Sequence, residues 1–315
     1  GVPRRRPRPV AAGAAAGQTS YNGLKQAVEQ LGVTEKKVQS TTDSDYAPNV
    51  KAMVDAKCDI IVTVGFKLGD ATAAAAKANP KIKFAIVDFA YDTPEANVKG
   101  LVFNTGEPSF MAGYAAASLS KTGKVGTWGG MKIPTVTAFM DGFAQGVEYY
   151  NKQKSKSVQV LGWDRTKKDG QFNSGSNPFD NVAGGKQVTQ NLMAQGADVI
   201  LPVAGPAGEG ALQAAQASGG KVSAMWVDTD GYVSQPNYKS IIATSVGKAM
   251  DVAVFDTIKA AKEGTFDNKL FVGTLANKGV YLAPFHDFDS KVSAETKAEL
   301  EKIQADIIAG TIKIG

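Results

Sequence analysis

A chain of 315 residues, 43% hydrophobic and 21% charged, is long enough for two packed domains and too apolar for a disordered segment. No apolar run approaches the roughly 20 residues that cross a bilayer, so the chain reads as soluble. Four units of its net charge of +5 sit on Arg4, Arg5, Arg6 and Arg8; without them 31 basic residues face 30 acidic ones, a near-neutral body that excludes a basic groove for nucleic acid.

The N-terminus lacks the apolar stretch of a signal peptide, and a start at Gly1 is read as a processed or trimmed chain. From about residue 20, helical and strand patterns alternate. Residues 21–31 place Leu24, Val28 and Leu31 on one helix face. A short helix over 50–56 leads to a β-branched strand at 59–64, immediately preceded by Cys58. This lone cysteine excludes an internal disulfide and reads as a buried, inert thiol. An Ala-rich helix over 71–78 stops at Asn79-Pro80, because the residue before proline disfavours helix. Strands at 84–87 and 101–103 and a helix over 109–119 follow.

The alternation resumes after Lys121-Thr122-Gly123 with strand 125–128, helix 135–149, strand 158–162, helix 185–195, strand 199–203, helix 208–217 and strand 223–227. Short apolar strands between helices imply parallel sheets covered on both faces. In such sheets ligands bind outside the carboxyl ends of the strands, so the polar residues just after each strand are the candidates.

Signatures of catalysis are missing. The only histidine, His286, has no Gly-x-Ser-x-Gly elbow to serve and reads as structural or surface-exposed. No His, Cys or carboxylate cluster has metal-ligand spacing, and neither Lys121-Thr-Gly-Lys124 nor Gly184-Gly-Lys186 fits a phosphate loop. Asp228 and Asp230 at a strand end suit sugar hydroxyls better than acid–base work. The expectation is a binding protein without catalytic, cofactor or metal site.

Several ordered segments resemble the basic membrane protein family, the purine-nucleoside-receptor type of ABC-transporter substrate-binding lipoprotein. They are Gly65-Phe66 with Leu68-Gly-Asp70, Phe84-Ala-Ile-Val-Asp88-Phe89, Gly129-Gly-Met131-Lys-Ile-Pro134 and Phe139-Met-Asp-Gly-Phe-Ala-Gln-Gly-Val147. Gly196-Ala-Asp-Val-Ile-Leu-Pro-Val-Ala-Gly205, Val227-Asp228-Thr-Asp230, Thr244-Ser-Val-Gly-Lys248 and Ala283-Pro-Phe-His-Asp-Phe288 carry the likeness to the C-terminal region. The resemblance implies an α/β, two-lobed periplasmic-binding-protein type I fold with parallel sheets and a three-crossover hinge. One lobe would hold residues 1–120 and about 248–275, the other 121–247 and about 276–315.

It also implies a nucleoside bound in the interlobe cleft, a membrane permease as partner, a monomer, and an extracytoplasmic place held by a lipid anchor outside this chain. In the family the base lies between two aromatic rings while carboxylates and a lysine hold the ribose. Carried over, Phe179 is the stacking ring (Phe172 the alternative), Asp88 an N-lobe polar contact, and Gly205 a point of backbone approach. Asp228 and Lys248 become the ribose contacts, with Asp230 the fallback acid, while Gly65, Phe66 and Met131 flank the ligand. Plain alternatives exist: Phe179 as cover for a lobe edge, Asp88 as a cap, Lys248 as a solvated lysine or a partner of Asp251, and Trp128 and Trp163 as core.

One region departs from the family. Its Asp, Phe and Asn base contacts fall here on Pro7, Ala16 and Gly17, and a Pro/Arg run makes a poor central strand. Either base recognition is altered or the arginine-rich stretch is mis-assigned or frame-shifted against a remainder whose basic residues, Arg165 apart, are lysines. Other readings are a receptor for a different small ligand such as a sugar, and the sensor core of a transcription regulator, for whose helix-turn-helix residues 1–20 leave no room.

Overall fold

In the computed structural model, residues 10–12, 17–40 and 43–315 are described; Arg4, Arg5, Arg6, Arg8, Pro7 and Ala16 lie outside them. The chain forms two units, residues 1–103 with 249–273 and residues 104–248 with 274–315.

Unit 1 runs β1 (Val10–Ala12), α1 (Gly17–Leu31), β2 (Lys37–Gln39), α2 (Tyr46–Asp55), β3 (Ile60–Val64), α3 (Gly69–Ala78), β4 (Lys83–Val87) and β5 (Val98–Phe103). Its sheet has the order β2-β1-β3-β4-β5, extended beyond β5 by a late strand, Phe271–Gly273, and every pairing is parallel. Strand β1, paired with β2 on one side and β3 on the other, is interior to the sheet.

β3 consists solely of β-branched residues and is buried along its length, the signature of a strand covered on both faces. Its side chains alternate between two cores. Ile60, Val62 and Val64 join Leu24 and Ala27 on one face, and Ile61 joins Val50, Met53 and Ala76 on the other. Cys58 lies buried in that second core.

Unit 2 continues with α4 (Gly106–Leu119), β6 (Lys124–Gly129), α5 (Pro134–Lys154), β7 (Gln159–Leu161), the hairpin β8 (Trp163–Asp164) and β9 (Asp169–Gly170), and α6 (Val182–Ala194). Then come β10 (Val199–Val203), α7 (Glu209–Ala217), β11 (Ser223–Asp228), α8 (Gly231–Ser234) and β12 (Ile242–Lys248). The chain crosses to unit 1 for α9 (Met250–Glu263) and β13 (Phe271–Gly273), the late strand above. It returns for β14 (Val280–Leu282) and α10 (Ala294–Ile308).

The second sheet repeats the first, in the order β7-β6-β10-β11-β12-β14, except that β14 is antiparallel. Trp128 is fully buried in its core, with its indole N–H satisfied by Thr189 Oγ1 at 2.9 Å. No helix among the described residues is long and apolar enough to cross a membrane.

The first passage between units falls between Phe103 and Asn104, not near residue 121 as expected. Two facts explain the correction. Helix α4 is buried on nearly every side and belongs to unit 2 by its contact with α5. Lys121-Thr122-Gly123 is also a tied turn rather than a linker. Buried Asp198 accepts from the Lys121 and Thr122 amides at 2.7 and 3.1 Å and from Ser120 Oγ at 2.7 Å.

Helices α4 and α5 meet at backbone distance. A Cβ on Gly113 would lie 1.9 Å from Phe143 O, and one on Gly146 would lie 1.9 Å from Phe110 O. Helix α10 adds Glu299, which accepts from the Tyr114 hydroxyl of α4 and pairs with Lys154 Nζ of α5 at 2.8 Å. The close approach reverses the usual effect of a helical Gly→Ala change, which on an exposed helix stabilises by roughly 0.5–1 kcal/mol. Gly146→Ala is expected to destabilise by about 2 kcal/mol through overpacking, read as a lower urea midpoint; an unchanged or higher midpoint would contradict the contact.

Candidate functional site

Four neighbouring strands of unit 2 end at one edge. Asp228 closes β11 and is in register with Gly247 of β12, so Lys248 follows on the adjacent strand. Next along the edge, β10 runs into Ala204 and Gly205, which opens the 3-10 turn Gly205–Gly208. Beyond it β6 runs into Gly129 and Gly130, whose amide donates to Val203 O at 2.9 Å. The edge therefore gathers Lys248, Asp228, Gly205 and the Gly129-Gly130 turn. Lys248 is only 4% exposed, which removes the reading of it as a solvated lysine.

Phe179 comes to this edge from a long loop. Its ring lies on Gly130, where a Cβ would meet it at 2.5 Å, and its carbonyl accepts from the Ala207 amide at 2.8 Å. Two asparagines hold the loop. Asn173 Nδ2 donates to Pro178 O at 2.7 Å and Asn181 O at 3.0 Å. Asn181 Nδ2 donates to Ser174 O at 3.0 Å, and its Oδ1 caps α6 by accepting from the Gly184 amide at 3.0 Å. Phe179 is half-buried, and so is Phe172, whose ring rests on Gly129.

Behind Phe172 stands the β8–β9 hairpin. Trp163 meets the Phe172 ring edge-on, with centroids 6.3 Å apart, and donates its indole N–H to Asp141 Oδ1 at 3.1 Å. Lys168 Nζ and Arg165 Nε approach the same oxygen at 2.8 and 3.4 Å. Burial alone would push the Asp141 carboxyl up, but the hydrogen bonds from Lys168 and Trp163 and the two nearby cations hold it below the usual carboxylate range. Both Trp128 and Trp163 are core residues.

In unit 1 the corresponding edge carries Gly65, Phe66 and Asp88. Gly65, at φ 97°, follows β3 and donates its amide to Val87 O at 2.9 Å, beside Asp88. Phe66 is 45% exposed at the start of the 3-10 turn Phe66–Leu68. Asp88 donates its amide to Leu101 O at 2.8 Å. No helix follows it before β5, so it is not a helix cap.

Asp88 at φ 66° and Asp228 at φ 72° both adopt the left-handed conformation, uncommon outside glycine and best tolerated by Asn and Asp. Met131 is half-buried after Gly130, its carbonyl accepting from Ile133 N at 3.0 Å.

Asp230 makes two contacts inside unit 2: Oδ1 accepts from the Tyr232 amide at 3.2 Å and Oδ2 lies 2.7 Å from His286 Nε2. Neither this contact of His286 nor the two loop asparagines is among the residues expected from the sequence. Only the asparagines had a local signal, since they bracket a Ser/Gly/Pro run typical of turns. Of the positions where the family's base contacts fall, Pro7 and Ala16 are outside the described residues and Gly17 begins α1. Among the described residues no group of three or more His, Cys, Asp or Glu is placed to hold a metal ion.

The family described as Bmp, ABC transporter substrate-binding protein PnrA-like, matches residues 10–315. Basic membrane protein A of Borreliella burgdorferi is 28% identical over 294 residues, covering 92% of this chain and 80% of that protein. The ABC transporter nucleoside-binding protein BmpA of Lactococcus lactis subsp. cremoris is 31% identical over 289 residues, covering 88% and 76%. Among solved structures, an ABC transporter solute-binding protein from Aeropyrum pernix superposes with a TM-score of 0.86 at 23% identity, covering 98% of this chain and 92% of that one. The fold is thus the periplasmic-binding-protein type of α/β structure.

The Asp141 cluster gives the site region a pH signature. A carboxyl whose folded-state value is lowered contributes stability above its unfolded value and loses it as pH falls through the folded one. Asp141→Asn is therefore expected to lower the urea midpoint at pH 7, with the gap to wild type closing as pH falls below the usual carboxylate range. A gap independent of pH would show that the charge of Asp141 is not what the cluster uses.

Proposed function

Since the chain belongs to the Bmp family of PnrA-like ABC transporter substrate-binding proteins, we propose that it captures a purine nucleoside and delivers it to a membrane permease, catalysing no reaction. The observation that carries this reading is the unit 2 edge, where an acid, a buried lysine, an open backbone turn and an aromatic ring converge. A ribose diol needs an acceptor and a donor in fixed positions; Asp228 accepts from its hydroxyls and Lys248 donates to its oxygens. A purine has two apolar faces, and the Phe179 ring, fixed on Gly130 and by its own carbonyl, offers a stacking platform. Phe172 is the second candidate ring.

Asp88, with Gly65 and Phe66 beside it, is the polar contact proposed in unit 1, and Met131, next to the Gly130 on which Phe179 lies, is a further candidate contact. Asp230 is assigned to support rather than direct contact, because its oxygens are engaged by Tyr232 and His286. The protein acts outside the cytoplasmic membrane as a lipid-anchored monomer, and its ligand-loaded form is what the permease recognises. The nucleoside-binding name of the Lactococcus lactis relative supports the ligand class.

A sugar is the competing ligand, favoured by the absence of acid, ring or amide at Pro7, Ala16 and Gly17. Calorimetric titration with adenosine, guanosine, inosine and ribose separates the two. At least one nucleoside is expected to bind, and Phe179→Ala to weaken it by roughly 1–3 kcal/mol, the stacking increment. Binding of ribose without any nucleoside would overturn the ligand class, and an unchanged affinity in the variant would remove Phe179 from the site.

A further inference from the structure

We infer that His286 is a positioning residue for the ligand site: by holding Asp230 it fixes the turn that keeps Asp228 in place for the ribose. The inference rests on the proposed role of Asp228.

The turn after β11 is conformationally demanding. Asp228 is left-handed, Thr229 N donates back to Val227 O at 2.9 Å, and the four-residue α8 begins three positions on. So short a helix does not sustain itself and needs outside anchors. One is Gly231, which packs against the root of the Trp226 side chain and donates its amide to Ser245 Oγ of β12 at 2.9 Å. Another is Thr229 Oγ1, 2.7 Å from Ser234 Oγ.

The third anchor comes from far along the chain. His286 Nε2 lies 2.7 Å from Asp230 Oδ2, and a carboxylate only accepts, so the imidazole donates. The His286 ring is also stacked on Tyr232 of α8, with centroids 4.1 Å apart and planes 14° from parallel. Tyr232 donates its hydroxyl to Asp287 Oδ1 at 3.2 Å, and Lys239 Nζ stands 5.5 Å from the centre of its ring.

What delivers His286 is equally well defined. Ala283, just past β14, donates its amide to Ser245 O at 2.9 Å and accepts from Thr244 Oγ1 through its own carbonyl. The His286–Lys291 3-10 turn follows three residues later. The strand that ends in Lys248 thus also sets the place of His286, and His286 in turn secures the turn behind Asp228. Both proposed ribose contacts, on neighbouring strands, are tied to each other by a path through β14 and the imidazole.

The test compares adenosine, guanosine and inosine with their 2′,3′-dideoxy analogues, which lack the ribose diol but keep the 5′-hydroxyl and the base. Wild type, His286→Ala and His286→Gln are titrated, with thermal melting to establish that each variant is folded. In His286→Ala the affinity for the preferred nucleoside is expected to fall about tenfold while that for its dideoxy analogue stays within about twofold. His286→Gln, whose amide still donates towards Asp230, is expected to recover most of the loss. Equal loss for both ligands, or no loss for either, would overturn the positioning role while leaving nucleoside binding intact. If wild type bound no nucleoside at all, the functional reading would fail first and the inference with it.

Discussion

A parallel strand packed by helices on both faces has nothing to offer water except its ends. β3 and β10 are buried from first residue to last, and β11 along its middle, so their side chains are committed to packing. Polar chemistry is confined to the residue or two after each strand. This constraint gives the sites their arrangement. Asp88, Asp228, Lys248, Gly65 and Gly205 are all strand-end residues, collected at the edge of a sheet because the strands run the same way.

The two units follow the same plan. Their sheets share one strand order, and β4 and β11 occupy the same place in it. At the end of each stands Val-Asp, with Asp88 just after Val87 of β4 and Asp228 the last residue of β11, and both aspartates are left-handed. In each unit the preceding strand runs into a 3-10 turn, Phe66–Leu68 or Gly205–Gly208. The following helix then opens with an acidic residue in its first turn, Asp70 or Glu209. The units differ between their first edge strand and the next helix, where unit 2 carries the β8–β9 hairpin and the asparagine-pinned loop of Phe179.

Local patterns made most of the fold legible in the sequence, because strand and helix periods are short-range properties. The β-branched run of β3, the stop at Asn79-Pro80 and the alternation up to β11 all appear where the residues predict them. The first passage between units was not legible. Helix α4 is apolar nearly all round, so no face revealed its partner, and Lys121-Thr122-Gly123 looks like a linker until Asp198, far along the chain, ties it down. The pairing of His286 with Asp230 spans 56 positions and leaves no periodic trace. Sheet architecture pointed to the strand ends, where Asp228 and Asp230 stood out, while Asp88, Lys248 and Gly205 came from the family resemblance; the contact that holds Asp230 left no local trace.

The interrupted layout of unit 1 has a consequence in time. Helix α9 supplies Met250, Ala253, Val254 and Ile258 to the same core as Leu24, Ile60 and Val62, and Gly23 of α1 sits so close to it that a Cβ would lie 2.3 Å from Asp251 O. During synthesis, β1 to β5 emerge early but their α1 face stays open until all of residues 104–248 have been made. Unit 2 likewise waits for β14 and α10 before its edge strand and last helix are in place. Neither core closes until chain beyond residue 248 has been made, because unit 1 needs residues 249–273 and unit 2 residues 274–315.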